Sequence, residues 1–126
     1  MKVLALDYGS ARTGVAVSDP SGMLARPVTI VQRVKTQKGR AELLQVIAAE
    51  EPELVVVGLP LTLRGDRGEQ AVETEAFVAD LRRAISVPVE LWDERFTSVL
   101  AGGDDARAAA HLLSGYLEWK NSRPSS

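Results

Sequence analysis

Short apolar runs and longer amphipathic stretches alternate along this chain. The first three runs follow one another closely and predict β-strands at residues 3–7, 13–18 and 24–32. Only residues 9–12 separate the first two runs, which is too short for a crossover, so we expect an antiparallel pair. Pro27 lacks an amide hydrogen and therefore favours an edge position for the third strand.

A helix, a buried strand and a second helix follow. The first helix is predicted over residues 38–50 and stops before Pro52. Its apolar face consists of Leu43, Leu44, Ile47 and Ala48. The β-branched run at residues 54–57 ends at Gly58 and is typical of a central parallel strand. The second helix has an apolar face made of Thr74, Phe77, Val78, Leu81 and Ile85.

Capping residues mark where two of the helices are expected to begin. Asp66, three residues before Glu69, is the expected cap of the second helix. Residues 87–92 predict the last strand, and Asp104 is expected to cap a final helix that runs to about Trp119. The apolar stripe of that final helix consists of Ala106, Ala109, Ala110, Leu113 and Leu117.

The order βββαβαβα predicts an α/β fold, a five-stranded mixed sheet with helices on both faces. Right-handed crossovers place the strands at 54–57 and 87–92 parallel to the first strand. The carboxyl ends of these strands then share one edge, where open α/β sheets bind ligands. We expect residues 1–120 to form a single domain and residues 121–126 to form a polar tail.

Composition narrows the function classes. The chain has no cysteine, which excludes disulfides, thiolate zinc sites and cysteine nucleophiles. No run is long and apolar enough to span a bilayer, and no signal peptide is recognisable, so we expect a cytoplasmic protein without membrane contact. The net charge is −2, yet residues 1–40 contain seven Lys or Arg against two Asp. A locally positive face and scattered solubilising charge both fit this distribution.

Carboxylates follow the first and last strands of the predicted sheet. Asp7 ends the first strand, Asp93 and Glu94 end the last, and Asp105 lies in the first turn of the final helix. Clustered carboxylates repel each other and are tolerated mainly where a divalent ion neutralises them, which points to Mg²⁺ or Mn²⁺. Taken singly, these acids could instead cap a turn, pair with Arg95 or stabilise a helix N-terminus.

Basic and glycine residues near the predicted loops suit phosphate contacts. The candidates for binding a nucleic-acid backbone are Arg12, Arg64, Arg67 and Arg95. Solvated loop positions explain these arginines equally well. Gly9 and Gly14 bracket a segment whose amides could face a phosphate or could form a tight hairpin turn. The single histidine, His111, lies in the middle of the final helix, which argues against a histidine-based metal site or triad.

Four segments in order along most of the chain resemble the YqgF family, also called RuvX. They are residues 4–9 (LALDYG), 12–19 (RTGVAVSD), 56–61 (VVGLPL) and 93–98 (DERFTS). Members are small bacterial proteins of the RNase H-like fold, described as candidate Holliday junction resolvases and as nucleases that mature the 5′ end of 16S ribosomal RNA. The resemblance implies the same fold and a divalent-metal nuclease.

The resemblance also assigns roles to the acids. Asp7 matches the first catalytic aspartate of the family, Glu94 its glutamate, and Asp105 its third acid, with Asp104 in reserve. Two departures accompany the match. Residues 99–103 replace a longer basic segment, and Ala106 stands where the family has a serine. The sequence therefore lacks a loop that could bind nucleic acid.

The leading prediction is a metal-dependent endonuclease that uses Asp7, Glu94 and Asp105. Its substrate is branched DNA, precursor ribosomal RNA or both, since the phosphodiester chemistry is shared. A four-way junction has two-fold symmetry and would suit a homodimer. The alternative is a non-catalytic nucleic-acid-binding or ribosome-assembly module, which the short segment and negative charge favour. A sugar-kinase-like or actin-like nucleotide binder needs two lobes, for which 126 residues hardly suffice.

Overall fold

The structure is a computed structural model that describes residues 1–60, 64–65, 68–93 and 106–122. Its elements within these residues are β1 (Val3–Asp7), β2 (Arg12–Ser18), β3 (Ala25–Gln32), α1 (Gln37–Glu50), β4 (Leu54–Leu59), α2 (Glu69–Ala84), β5 (Val89–Asp93) and α3 (Ala106–Ser122). This is the predicted order, βββαβαβα, and it confirms the α/β fold class.

The five strands form one mixed sheet in the order β3-β2-β1-β4-β5. β1 and β2 are antiparallel, as the short connection requires, whereas β1, β4 and β5 run parallel. β3 is an edge strand and accommodates Pro27, as predicted. The parallel strands end together at Asp7, Leu59 and Asp93, and we call this side of the sheet the C-terminal edge. The side where β1 begins is the opposite edge.

Alternating side chains divide the core between the two faces of the sheet. One face packs against α1 and α2 through a cluster that contains Leu4, Leu6, Val55 and Val57. The other face packs against α3 through a cluster that contains Val3, Ala5, Val56, Trp92 and Leu113. Asp7 follows Val3 and Ala5 in this alternation and therefore lies on the α3 side of the sheet.

The direction in which α3 runs across the sheet determines on which side its first turn lies. Near its C-terminus, the Asn121 side-chain amide donates to the carbonyl of Gly22 over 3.2 Å. Gly22 belongs to the turn between β2 and β3, which lies at the opposite edge. The helix axis extends roughly 24 Å from there back to Ala106. The N-terminal end of α3 therefore lies on the side of the C-terminal edge.

Several local predictions need correction. Ala48 is exposed, because α1 meets the sheet along a narrow stripe of buried positions spaced by four, Gly39, Leu43 and Ile47. The N-cap of α2 is Gly68 and makes no side-chain cap bond. The proposed cap by Asp66 is therefore wrong, since the helix begins two residues too late for it; Asp66 itself lies outside the described residues.

The ends of two further elements also differ from the sequence-based expectation. β5 spans Val89–Asp93 rather than 87–92, because Asp93 still pairs with Leu59 of β4. α3 continues to Ser122 rather than ending near Trp119. The hydrogen bond from Asn121 to the β2–β3 turn fixes this last helical turn, so two residues of the expected polar tail belong to the helix. The proposed Asp104 cap lies outside the described residues.

Candidate active site

Asp7 is a half-buried carboxylate at the end of the strand in the middle of the sheet. Its neighbour on β2 is Gly14. Its neighbour on β4 is Gly58, one residue beyond the pair formed by Leu6 and Val57. Because both neighbours are glycines, neither flanking strand places a side chain beside Asp7.

On β5, the residue level with Asp7 of β1 and Gly58 of β4 is Trp92. Gly58 pairs with Trp92, which is 7% exposed and packs edge-on against Tyr116 of α3 with the ring centroids 6.0 Å apart. The Tyr116 hydroxyl lies 3.5 Å from the Glu90 carboxylate, so Glu90 also faces α3. Asp93, the residue after Trp92, falls on the side of α1 and α2, as Val89 and Leu91 do. Asp93 therefore shares the edge with Asp7 but not its face.

Much of the predicted site falls outside the described residues. These positions are Glu94, Asp104, Asp105, Arg67 and Arg95. Among the residues that the structure does describe, no group of three acidic, histidine or cysteine side chains is placed to hold a metal ion. Of the three predicted metal ligands, the structure describes Asp7. Its carboxylate oxygen atoms are hard ligands that fit Mg²⁺ or Mn²⁺.

A tight turn connects Asp7 to β2. The Thr13 hydroxyl lies 3.4 Å from the amide nitrogen and 3.3 Å from the carbonyl oxygen of Gly9, and so closes the turn from within. A Cβ at Gly9 would lie 2.4 Å from the carbonyl oxygen of Arg12, which a real side chain could not tolerate. Close packing thus accounts for Gly9, and the hairpin-turn interpretation of this segment is the one that the contacts support.

Tyr8 connects the end of β1 to α2 through a polar cluster that sequence reasoning missed. Its hydroxyl donates to the Glu73 carboxylate over 2.8 Å, and the Lys35 ammonium lies 3.0 Å from the same oxygen. The Tyr8 ring stacks on Phe77 with the centroids 4.5 Å apart. Burial and the bond to Glu73 raise the pKa of Tyr8. The bonds from Tyr8 and Lys35 lower the pKa of Glu73.

Three exposed arginines surround the C-terminal edge within the described residues. Arg12 begins β2 and Arg64 follows the end of β4, so both lie on the side of the C-terminal edge, and their contact with phosphate stays a prediction. Arg33 follows β3 and was not predicted. Its amide donates to the Ala11 carbonyl over 2.9 Å, which holds its backbone beside the turn that leads to Arg12.

Asp19 lies far from these groups, although it belongs to the second of the four sequence motifs. It sits in the β2–β3 turn at the opposite edge, where one carboxylate oxygen accepts from the amides of Met23 and Leu24, each over 2.8 Å. The Ser21 hydroxyl donates to the other oxygen. These bonds, the one from Leu24 first, hold the pKa of Asp19 well below its usual range. Asp19 is therefore a structural acid of the turn.

The class of the protein follows from its fold. The chain superposes on Thermus thermophilus RuvC, solved with a Holliday junction substrate, with a TM-score of 0.61 and 21% identity over 97% of this chain and 96% of that chain. A second structure of Thermus thermophilus RuvC gives a TM-score of 0.59 and 16% identity. The architecture is thus that of the RNase H-like, RuvC-type proteins, as predicted.

The family follows from the sequence comparison. The model of the RuvX family, described as Holliday junction resolvase, matches residues 1–104, and this chain belongs to that family. A candidate pre-16S rRNA nuclease of Chloroflexus aurantiacus is 37% identical over 137 residues, with 97% of this chain and 90% of the relative covered. A similarly named protein of Syntrophomonas wolfei is 36% identical and is covered to 94%, as is this chain.

Membership confirms the predicted enzyme class: the protein is a nuclease, a hydrolase that acts on nucleic acid. A RuvC-like nuclease fold also implies a general dependence on divalent metal. Within the described residues, no helix has the length and apolarity to cross a membrane.

Proposed function

We propose that this protein uses Mg²⁺ or Mn²⁺, held by Asp7, Glu94 and Asp105, to hydrolyse phosphodiester bonds within structured nucleic acid. The observation that carries the proposal is the placement of Asp7. It ends the central strand on the α3 face, and glycines occupy the neighbouring positions on both flanking strands.

The described parts of β5 and α3 support the choice of the other two acids. Glu90 and Trp92 lie on the α3 face, and a strand returns to the same face at every second residue. For this reason we expect Glu94, rather than Asp93, to join Asp7. The N-terminal end of α3 lies on the side of the C-terminal edge, which favours an acid directly before Ala106. Asp105 is the first choice and Asp104 the reserve.

The proposed chemistry requires the three carboxylates to lie together. A divalent ion, when bound, supplies a water of lowered pKa and neutralises charge on the phosphate. The carboxylates of Asp7, Glu94 and Asp105 would hold it. Water attacks the phosphorus in line and the bond to the 3′-oxygen breaks, which leaves a 5′-phosphate and a 3′-hydroxyl. Arg12, Arg64, Arg67 and Arg95 bind non-bridging phosphate oxygens and position the backbone.

Two substrates share this chemistry. The family description names a Holliday junction, and the relatives are named for precursor 16S ribosomal RNA. We propose that structured nucleic acid of one or both kinds is cleaved in the cytoplasm. On a four-way junction, a homodimer would place two sites in symmetric positions. On ribosomal RNA a single site suffices.

The first prediction concerns Asp7→Asn, which keeps the shape of the side chain and removes its charge. We expect cleavage to fall by at least about a hundredfold with either metal, while the thermal unfolding midpoint stays near that of the wild type. The measurement is a cleavage panel with a four-way junction, duplex DNA, single-stranded DNA and precursor 16S RNA, each in Mg²⁺ and in Mn²⁺.

Asp93→Asn is the matched control, because it removes the same charge at the same edge but on the other face of the sheet. We expect it to retain most of the wild-type activity. Full activity of Asp7→Asn would rule out the metal site. Tight binding by the wild type without cleavage in either metal would favour the non-catalytic module, which the short segment 99–103 also favours.

A further inference from the structure

We infer that Arg33, together with Lys38 in the first turn of α1, is an anchor for backbone phosphates on the β3 side of Asp7. The inference rests on the proposed function and extends it, since it assigns the path of the substrate strand away from the reacting phosphate. Neither residue belongs to the four motifs or to the predicted phosphate contacts.

The position of Arg33 is fixed relative to Asp7 by the sheet. Arg12 pairs with Gln32, and the Arg33 amide bonds to Ala11, so Arg33 stands at the C-terminal edge beside the start of β2. β3 is two strands away from β1, a separation of roughly 10 Å at the usual spacing between strands.

Arg33 and Lys38 form no ion pair among the residues that the structure describes. Residues 20–41 contain no Asp or Glu at all. Both Arg33 and Lys38 are exposed. Lys35 differs, because it is bound to Glu73. Arg33 and Lys38 are therefore available to a polyanion, although the protein as a whole is negatively charged.

The backbone at Arg33 favours a different residue. Its φ angle is 46°, in the left-handed region where glycine is preferred. Hydrogen bonds hold it there: its carbonyl accepts from the amide of Thr36 over 3.0 Å and from the Thr36 hydroxyl over 2.7 Å. Gly39 packs so closely that an added Cβ would lie 2.0 Å from the same carbonyl oxygen. An arginine in this rigid loop is unfavourable for the fold, which points to a use for its side chain.

The decisive variant is Arg33→Gly, which suits the backbone and removes the charge. We expect an unfolding midpoint equal to or above that of the wild type, together with roughly three- to tenfold weaker nucleic-acid binding. The slope of log affinity against log salt should become shallower by about one. Fluorescence anisotropy with a labelled four-way junction and a labelled RNA hairpin, both in EDTA, measures binding without cleavage. Lys38→Ala should weaken binding in the same direction.

Arg33→Gly makes two changes: it places glycine at a left-handed position and it removes a positive charge. A separate control matches each change. Glu51→Gly replaces the other described non-glycine residue in the left-handed region, with φ 50°, at the far end of α1. Arg26→Ala removes the same charge from β3 at the opposite edge, where Arg26 lies 3.7 Å from Glu50. We expect both variants to bind nucleic acid as the wild type does.

The outcomes separate this inference from the proposed function. Wild-type affinity and salt slope in Arg33→Gly, or an equal loss in Arg26→Ala, would overturn the anchor, and so would a wild type that binds neither probe. Cleavage that depends on Asp7 would still establish the nuclease in the first two cases. A selective loss in Arg33→Gly supports the anchor even if no substrate in the panel is cut.

Discussion

Tyr8 stands directly after the proposed catalytic Asp7 and is tied to a helix 65 residues further along the chain. Because a strand sends successive side chains to opposite faces, Asp7 points to the α3 side while Tyr8 packs on Phe77 of α2. The end of β1 is therefore held from one face of the sheet, while the Asp7 side chain lies on the other. We predict from this arrangement that Tyr8 positions Asp7.

Replacing Tyr8 with Phe keeps the ring stacking and removes the bond to Glu73. We expect a loss of about 1 kcal/mol in the free energy of unfolding at neutral pH. The raised pKa of Tyr8 gives a stabilisation that is complete below the ordinary tyrosine pKa of about 10 and is lost as the pH rises through the raised value. The difference between wild type and variant should therefore shrink above pH 10.

Urea unfolding at pH 7, 9 and 11 measures this difference. The same variant tests positioning, because a displaced Asp7 should lower kcat for cleavage more than it raises KM. A difference in stability that is constant across this pH range would contradict the role assigned to the hydroxyl.

At the level of single residues, the sequence indicates Asp7 more clearly than it indicates the residues that hold the end of β1 in place. An acid that ends an apolar strand and precedes a glycine turn is visible in a short window. The bonds among Tyr8, Glu73 and Lys35 join three separate segments, so no local pattern reveals them. Arg33 is hidden for another reason: its significance lies in a positive φ angle that nothing about an arginine suggests.

The β2–β3 turn is the element whose stability depends most clearly on one carboxylate. Asp19 accepts from the amides of Met23 and Leu24, and its pKa is well below the usual range. A lowered pKa in the folded state stabilises the protein above the unfolded value, about 4, and the stabilisation is lost as the pH falls. Asp19→Ala should lower the thermal unfolding midpoint at pH 7 and lower it less at pH 3.

Thermal scans at the two pH values check this expectation. Cleavage by Asp19→Ala, measured well below its unfolding midpoint, should match that of the wild type because the turn lies at the opposite edge. An equal loss of stability at both pH values would contradict the account. Loss of cleavage in a folded variant would instead give Asp19 a direct role in the site.

The existence and type of each element were readable from hydrophobic periodicity, whereas several ends were not. Ala48 has the spacing of a buried residue, but α1 touches the sheet along a stripe too narrow to include it. Asp66 has capping chemistry, yet α2 begins after Gly68. α3 gains its last turn from the contact between Asn121 and Gly22, which are 99 residues apart. For α1 and α3, tertiary contact decided what local preference left open.

Over the whole molecule, α3 alone covers one face of the sheet within the described residues, so its packing should control global stability. Leu113 is 0% exposed and belongs to the cluster that joins α3 to β1 and β4. Leu113→Ala should reduce the free energy of unfolding by about 2–5 kcal/mol, a large share of the stability of a typical domain. Guanidinium unfolding measures this loss.

Leu24→Ala provides the comparison, because Leu24 is 74% exposed. It removes the same atoms and should change stability by less than about 0.5 kcal/mol. If Leu113→Ala were equally mild, α3 would have to be loosely docked, and the α3 face could not hold the acids of the proposed site in place.

The global topology was predictable because few arrangements satisfy its constraints. The short link after β1 allows only an antiparallel partner, and the two helical crossovers place β4 and β5 parallel to β1. These rules bring Asp7, Leu59 and Asp93 to one edge without any knowledge of side-chain contacts. The roles of Glu94 and Asp105 stay predictions, since these residues lie outside the described part of the chain.

Both ends of the described chain are fastened to the same turn. The amino group of Met1 donates to the Pro20 carbonyl over 2.8 Å, and Asn121 donates to Gly22 over 3.2 Å. A fluorophore, affinity handle or surface tether attached at Met1 or at Ser122 would thus leave the molecule at the edge of the sheet remote from Asp7. Immobilised in this way, the protein would present its arginine-bearing side to nucleic acid in solution.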